Sequence, residues 1–464
     1  MRSAAVLFAR ELIFRVGTGM IHYREEFVTE PIKRLVFASL IGATVEWYDF
    51  FLYGVVAGIV FNKLYFPVGD PVISTMLAYT TFAVGFVTRP LGGVIFGHFG
   101  DRIGRKSMLI LTLMIMGVAT FFIGLVPTYR QIGVWAPISL MCLRILQGIG
   151  LGGEWGGAVL MTYEYARPEK RGLFASLPQI GLSIGLCLAS GVVVLLSYSL
   201  TNEQFLAWGW RLAFMVSLVL VGIGLYIRRN ILETPEFSRL KEKGAEVRIP
   251  FASMISDYPK EIMAGMGARY IDGVFFNIFC VYSIAYLTQQ IKIPRTDVLL
   301  GVTVSALIMC LFIPLFGHLS DRMGRTKVFG WGSVITGLSA LPAFWIWMTY
   351  PDQAILVWAA LILPVALFYA SVYGPEAALF CDLFGPQVRY TGISFVYQFS
   401  GIFASGLTPI IATALIQEYG PNGGWAIASY CAFAGIVSAL SARWINRLAQ
   451  RSSQEHSAPA TGLA

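Results

Sequence analysis

The chain is 464 residues long, 56% hydrophobic and only 13% charged, against about 25% charged in soluble domains. That balance excludes a soluble globular protein and describes a polytopic membrane protein. The formal net charge of +8 does not mark a nucleic-acid binder, because the basic residues fall in short loops between apolar runs.

The N-terminal segment 1–33 precedes the first long apolar run and is expected to be cytoplasmic. The apolar run 4–9 is too short for a signal sequence, and Arg10, Glu11 and Arg15 interrupt it. It reads either as an amphipathic interfacial stretch or as residues ahead of a true start at Met20. A membrane-crossing helix needs about 20 apolar residues, and twelve such runs follow: 34–61, 72–98, 107–126, 136–163, 172–199, 206–228, 260–289, 297–318, 328–348, 353–381, 391–417 and 424–446. They form two groups of six, 34–228 and 260–446. The polar stretch 229–259, with Glu233, Pro235, Arg239, Lys241, Lys243, Arg248 and Pro250, links them, and a short polar tail, 447–464, follows.

Of the 34 Lys and Arg, 26 fall on the side of the two termini and four (Lys63, Arg130, Lys292, Arg295) on the other. Four more, Arg89, Arg144, Arg211 and Arg269, lie within spans or at their edges. The positive-inside bias therefore predicts cytoplasmic termini and a cytoplasmic linker. All six cysteines lie inside apolar runs, with no C-x-x-C pair, and are expected to be reduced packing residues rather than disulfides or metal ligands.

A nine-residue pattern occurs twice, 220 positions apart: Gly97-His98-Phe99-Gly100-Asp101-Arg102-Ile103-Gly104-Arg105 and Gly317-His318-Leu319-Ser320-Asp321-Arg322-Met323-Gly324-Arg325. A second charged pair also recurs: Glu164 with Arg171, and Asp382 with Arg389, 218 positions later. Two motifs repeating in register mean that one six-helix module was used twice. Membrane chains built that way are most often secondary transporters, with the solute site between the halves.

The loop Gly-x-x-x-Asp-Arg-x-Gly-Arg between the second and third spans resembles the signature of the major facilitator superfamily. More narrowly, Glu46-Trp47-Tyr48-Asp49-Phe50, Arg89-Pro90-Leu91-Gly92-Gly93, Gly152-Gly153-Glu154-Trp155-Gly156-Gly157 and Trp208-Gly209-Trp210-Arg211 resemble the metabolite:proton symporter family. That family includes transporters of shikimate, alpha-ketoglutarate, citrate, proline and betaine. The resemblance covers nearly the whole chain. It implies an all-α membrane fold of twelve transmembrane helices in two pseudo-symmetric six-helix halves, with the first, fourth, seventh and tenth helices lining a central cavity. The long C-terminal coiled coil frequent in the proline/betaine branch is missing from this sequence.

Ionisable residues inside spans cost a few kcal/mol or more and are functional candidates by default. Glu46 and Asp49 lie in the first span, on one helical face with Tyr53. Arg269 and Asp272 recur 223 positions later in the seventh, as if one site were built from two halves. Arg144 and Glu154 lie in the fourth span and Arg89 in the second. Guanidinium groups bind carboxylates in bidentate fashion, so Arg144 and Arg269, with Tyr53, Gln179 and Gln398, are the expected solute contacts. Arg269 also reads as the ion-pair partner of Asp272, and the two glutamines also read as packing contacts.

None of the four histidines lies mid-span, so a coupling proton would ride on a carboxylate. Asp49 is the first choice, with Glu46, Glu154 and Asp272 behind it. Arg89 is expected to be structural or gating. The repeated loops are expected to act as latches: Gly97, Asp101, Arg102, Gly104 and Arg105, with Gly317, Asp321, Arg322, Gly324 and Arg325, engaging Glu164, Arg171, Asp382 and Arg389. The literal G-x-G-x-x-G at 148–153 lies in a transmembrane run with no strand before it and reads as a packing face.

The sequence thus predicts proton-coupled uptake of a small organic carboxylate across an inner membrane, by a monomer that uses the proton as coupling ion and no cofactor. No metal site, nucleic-acid partner or catalytic constellation is expected; the partners are the solute, protons and lipid. The rivals are uptake of a zwitterionic osmolyte, proton-driven export of a drug or metabolite, and a non-transporting sensor.

Overall fold

Lipid offers no hydrogen bonds, so each long apolar run must satisfy its backbone internally, which an α-helix does. The structure is a computed structural model that describes residues 32–67, 71–229, 233–242 and 250–457. The interfacial-stretch and start-site readings of the N-terminal segment, together with parts of the linker and tail, lie outside the described residues.

Among the described residues twelve helices are long and apolar enough to cross a membrane. The first six are α1 (Ile32–Val56), α2 (Thr80–Ile103), α3 (Arg105–Leu125), α4 (Trp135–Tyr165), α5 (Pro168–Ser199) and α6 (Asn202–Ile227). The second six are α7 (Pro259–Thr288), α8 (Asp297–Met323), α9 (Arg325–Thr349), α10 (Ala354–Cys381), α11 (Arg389–Tyr419) and α12 (Gly423–Arg451). The expected two-half architecture is present, and α12 continues as helix to Ser457. The linker carries two short helices, Pro235–Glu242 and Pro250–Asp257. All six cysteines are free.

The duplication visible in the sequence is also a duplication of packing. Within the halves α3 packs on α6 and α9 on α12; between them α2 packs on α11 and α8 on α5. Large apolar side chains such as Val87, Tyr198, Leu311 and Ile355 stay on the outer surface, where hydrocarbon is the solvent. The glycine run of α4 lies against α2 so closely that a methyl on Gly152 would come 2.7 Å from the backbone nitrogen of Gly93. Small residues at such contacts let helix backbones touch, so the G-x-G-x-x-G run is a packing face.

Three helices of the second half loosen into π-helical turns: Asn277–Tyr282 and Tyr286–Gln290 in α7, Leu363–Tyr369 in α10 and Ile402–Gly406 in α11. Such turns rotate the side chains that follow them and cluster at functional sites.

The turns from α2 to α3 and from α8 to α9 pass through Gly104 (φ 134°) and Gly324 (φ 97°), a backbone region that side chains with a Cβ rarely enter. Beside the first turn, Glu233 of the linker accepts hydrogen bonds from the backbone N–H groups of Arg105 (3.1 Å) and Lys106 (3.2 Å). It thereby caps the start of α3 with a negative charge. Glu233→Ala is expected to destabilise the protein by about 1–2 kcal/mol, seen as a lower apparent melting temperature in detergent with transport retained. Unchanged melting would remove the capping role.

Candidate functional site

Buried charge concentrates in two places. The first is the end of the bundle that carries the repeated motifs. Asp101, at the end of α2, accepts hydrogen bonds from the N–H groups of Tyr390 (3.2 Å) and Thr391 (2.8 Å) and from the Thr391 hydroxyl (2.9 Å). Asp321, at the end of α8, accepts from the N–H groups of Gly172 (2.7 Å) and Leu173 (2.9 Å). Each motif aspartate therefore caps the N-terminus of a helix in the opposite half, where unpaired N–H groups and the helix dipole favour an anion. The capped positions are 218 residues apart, the same offset as the second charged motif. Gly97 permits the approach: a methyl there would come 2.7 Å from the Thr391 Cα, and one on Gly317 would come 2.8 Å from the Gly172 carbonyl oxygen.

Around the caps, Arg105 lies 3.5 Å from Asp101 and 3.3 Å from Glu164, and donates to the Pro386 carbonyl (2.9 Å). Arg389 reaches Glu164 at 3.4 Å across the halves. In the second half Arg325 ion-pairs with Asp382 and lies 3.6 Å from Asp321. Tyr163 donates to Asp382, and Arg171 stacks over the Tyr163 ring at 4.6 Å. Arg102 and Arg322 are exposed and take no part in these pairs.

The second place is the middle of the bundle. On the first half's side, Asp49 accepts from the Thr120 hydroxyl (2.9 Å), which accepts from Gln147 (2.7 Å), whose carbonyl in turn accepts from Arg144. An arginine and an acid are thus joined through two neutral side chains. The Arg144 guanidinium lies over Tyr53 (4.1 Å) and Phe82 (5.0 Å). Tyr53 donates to Thr81 (2.8 Å), and Glu154 accepts from Thr112 (2.9 Å).

At the junction of the halves, Arg269 ion-pairs with Asp272, its Nε lies 3.7 Å from Glu376, and its guanidinium sits 4.0 Å above the Tyr397 ring. Tyr397 stacks on Trp155 of α4 with centroids 3.6 Å apart, and Tyr369 donates to Asp272. Arg89 lies over Phe50 (4.6 Å) and Phe86 (4.7 Å) and interacts electrostatically with Glu46. Cations above aromatic faces are held without being saturated by hydrogen bonds.

The structure divides the α1 residues between the two central groups. Asp49 and Tyr53 join Arg144, whereas Glu46 joins Arg89 beside Arg269. Gln179 donates to the Tyr373 carbonyl, and Gln398 donates to the Gly152 carbonyl at 3.2 Å; both tie one half to the backbone of the other. The sequence reading missed Glu376, Tyr369, Tyr373, Tyr397 and Thr120. Glu376 carried a usable signal, being an acid inside an apolar span. The tyrosines carried none, because aromatic residues pervade the chain.

Two pseudo-symmetric six-helix halves with buried charge between them and reciprocal caps at one end define a multi-span membrane transporter. Known proteins agree. The description Sugar (and other) transporter matches residues 35–249, and Major Facilitator Superfamily matches residues 270–463. The shikimate transporter of Escherichia coli (strain K12) is 40% identical over 88% of this chain and 93% of its own length. Inner membrane metabolite transport protein YhjE of the same organism is 39% identical over 87% and 92%, and its proline/betaine transporter 33% identical over 83% and 78%. Among solved structures, the proton:xylose symporter XylE superposes with a TM-score of 0.73 over 90% of this chain and 96% of its own, at 16% identity, a likeness of fold. The chain belongs to the major facilitator superfamily, in the group of metabolite transporters that its motifs resemble.

Proposed function

We propose that the protein carries a small organic acid into the cell together with protons, by alternating access, as a monomer in a bacterial inner membrane with both termini cytoplasmic. The observation that carries this reading is Arg269. It is a buried guanidinium at the junction of the halves, held over an aromatic face and flanked by two acids. A solute carboxylate can compete for it when one of those acids takes a proton. The shikimate transporter at 40% identity supports an acid, and the proton:xylose symporter's fold is compatible with proton coupling. In this orientation the reciprocal caps close the cytoplasmic end, and their rupture opens it.

Asp49 is the proposed proton carrier of the first half, joined to Arg144 through Thr120 and Gln147; the proton is the coupling ion and no cofactor is invoked. The test is radiolabelled uptake into proteoliposomes of shikimate, alpha-ketoglutarate, citrate, an aromatic acid, proline and betaine, with and without an inward proton gradient. Gradient-stimulated accumulation of an acid, reduced about tenfold or more in Asp49→Asn, is the expected result. Accumulation of proline or betaine alone would replace the acid by a zwitterionic osmolyte, the second reading, which the 33% identical proline/betaine transporter favours.

A further inference from the structure

Among the described residues, the buried arginines away from the motif end are Arg89, Arg144 and Arg269, and the buried carboxylic acids there are Glu46, Asp49, Glu154, Asp272 and Glu376. Acids in excess cannot all be ionised in a low-dielectric interior without large cost. Asp49 and Glu154 each accept a hydroxyl hydrogen bond, and Asp272 has both the Tyr369 hydroxyl and the Arg269 guanidinium. Glu376 differs. It is fully buried, and neither of its oxygens receives a hydrogen bond. Its nearest cation, Arg269 Nε, is 3.7 Å away, beyond hydrogen-bond range.

Glu376 is also aimed at a place where other polar atoms are unsatisfied. The Tyr373 hydroxyl and Arg269 Nε likewise lack hydrogen-bond partners. Arg269 of α7, Tyr397 of α11, and Tyr369 and Tyr373 of its own helix interact with Glu376 electrostatically. Pro375 precedes it, and the π-helical turn Leu363–Tyr369 ends one to two turns earlier.

We propose that Glu376 is a proton-binding site of the C-terminal half, which exchanges the Arg269 guanidinium between its own carboxylate and that of the solute. When Glu376 takes a proton, Arg269 keeps Asp272 as its counter-ion and turns its Nε edge to the incoming carboxylate. When the proton leaves, Glu376 reclaims the guanidinium and the solute is displaced. Proton and carboxylate thus enter as a neutral pair, and each favours binding of the other. The inference rests on the proposed function for the proton as coupling ion, and adds a carrier distinct from Asp49.

The test compares wild type and Glu376→Gln in proteoliposomes, using whichever solute of the panel the wild type accumulates. Two modes are measured: solute exchange at equal pH on both sides, and accumulation driven by a proton gradient. The amide mimics the protonated acid. Exchange is expected to stay within about twofold of wild type, while gradient-driven accumulation falls about tenfold or more. Accumulation as in the wild type overturns the proposal. So does loss of both modes in a monodisperse variant, which would make Glu376 a solute contact or a structural group.

If Glu376→Gln does not assemble, Glu376→Asp serves instead. It moves the acid away from Arg269 and is expected to shift the pH midpoint of accumulation upward by about half a unit or more; an unmoved midpoint overturns the assignment. A wild type that carries an osmolyte but no acid refutes the proposed substrate class and leaves the Glu376 comparison to be read on that osmolyte. A wild type that carries nothing in the panel refutes both.

Discussion

Replacing Asp101 with alanine is expected to open the motif end and reduce transport about tenfold or more. The variant removes three hydrogen bonds between the halves, two of them from backbone N–H groups at the start of α11. Hydrogen bonds to a buried carboxylate contribute about 1.5–3 kcal/mol each. Losing them from only one conformation shifts a two-state equilibrium about a hundredfold, even after partial compensation by water. Cys381 reports the change, since it is a buried native thiol at the end of α10 beside Asp382. Its maleimide labelling, followed by mass spectrometry, is expected to accelerate about tenfold or more in Asp101→Ala. Asp321→Ala should show a smaller effect, because Asp321 has two cross-half hydrogen bonds and lacks the hydroxyl contact that Thr391 gives Asp101. Labelling rates equal to wild type in both variants would refute the latch.

The second large effect is expected at Arg269. Arg269→Gln leaves Asp272 and Glu376 buried with no adjacent guanidinium, and breaking a buried ion pair from one side costs about 3–5 kcal/mol. Transport should fall about a hundredfold or more, with a clear drop in apparent melting temperature. Adding Asp272→Asn should recover part of the stability, because one of the two stranded acids is gone, while transport stays lost. That separation of stability from transport distinguishes a working guanidinium from a structural ion pair. A double variant that transports as well as the wild type would make Arg269 structural, and a stable single variant would deny the pairing.

The architecture was legible because charge is scarce in this chain. Against an apolar background, Asp101, Glu164, Asp321 and Asp382 stand out, and their common register exposes the duplication. The solute-site residues were legible only one at a time. Arg144 and Asp49 were each visible as intramembrane charges, but Thr120, which joins them, is one of many hydroxyls in apolar helices. Glu376 escaped because the repeat was used to find partners, and the position 218 residues earlier is Ala158. The two halves have diverged where they are most specialised. Gln179 and Gln398 were visible as amides inside apolar spans, but a spacing cannot say that each would meet a backbone carbonyl of the other half.

The sequence by itself determined the membrane setting, the twelve helices, the duplication and the residues able to carry charge between the halves, because hydrophobic length and charge patterning act locally along the chain. Only the tertiary structure decided which acid faces which arginine, that each motif aspartate caps a helix of the opposite half, and that Glu376 lies beside Arg269 with no hydrogen bond. Those outcomes depend on how helices far apart in sequence rotate and approach, and the packing of glycines and aromatic rings at their contacts sets that geometry.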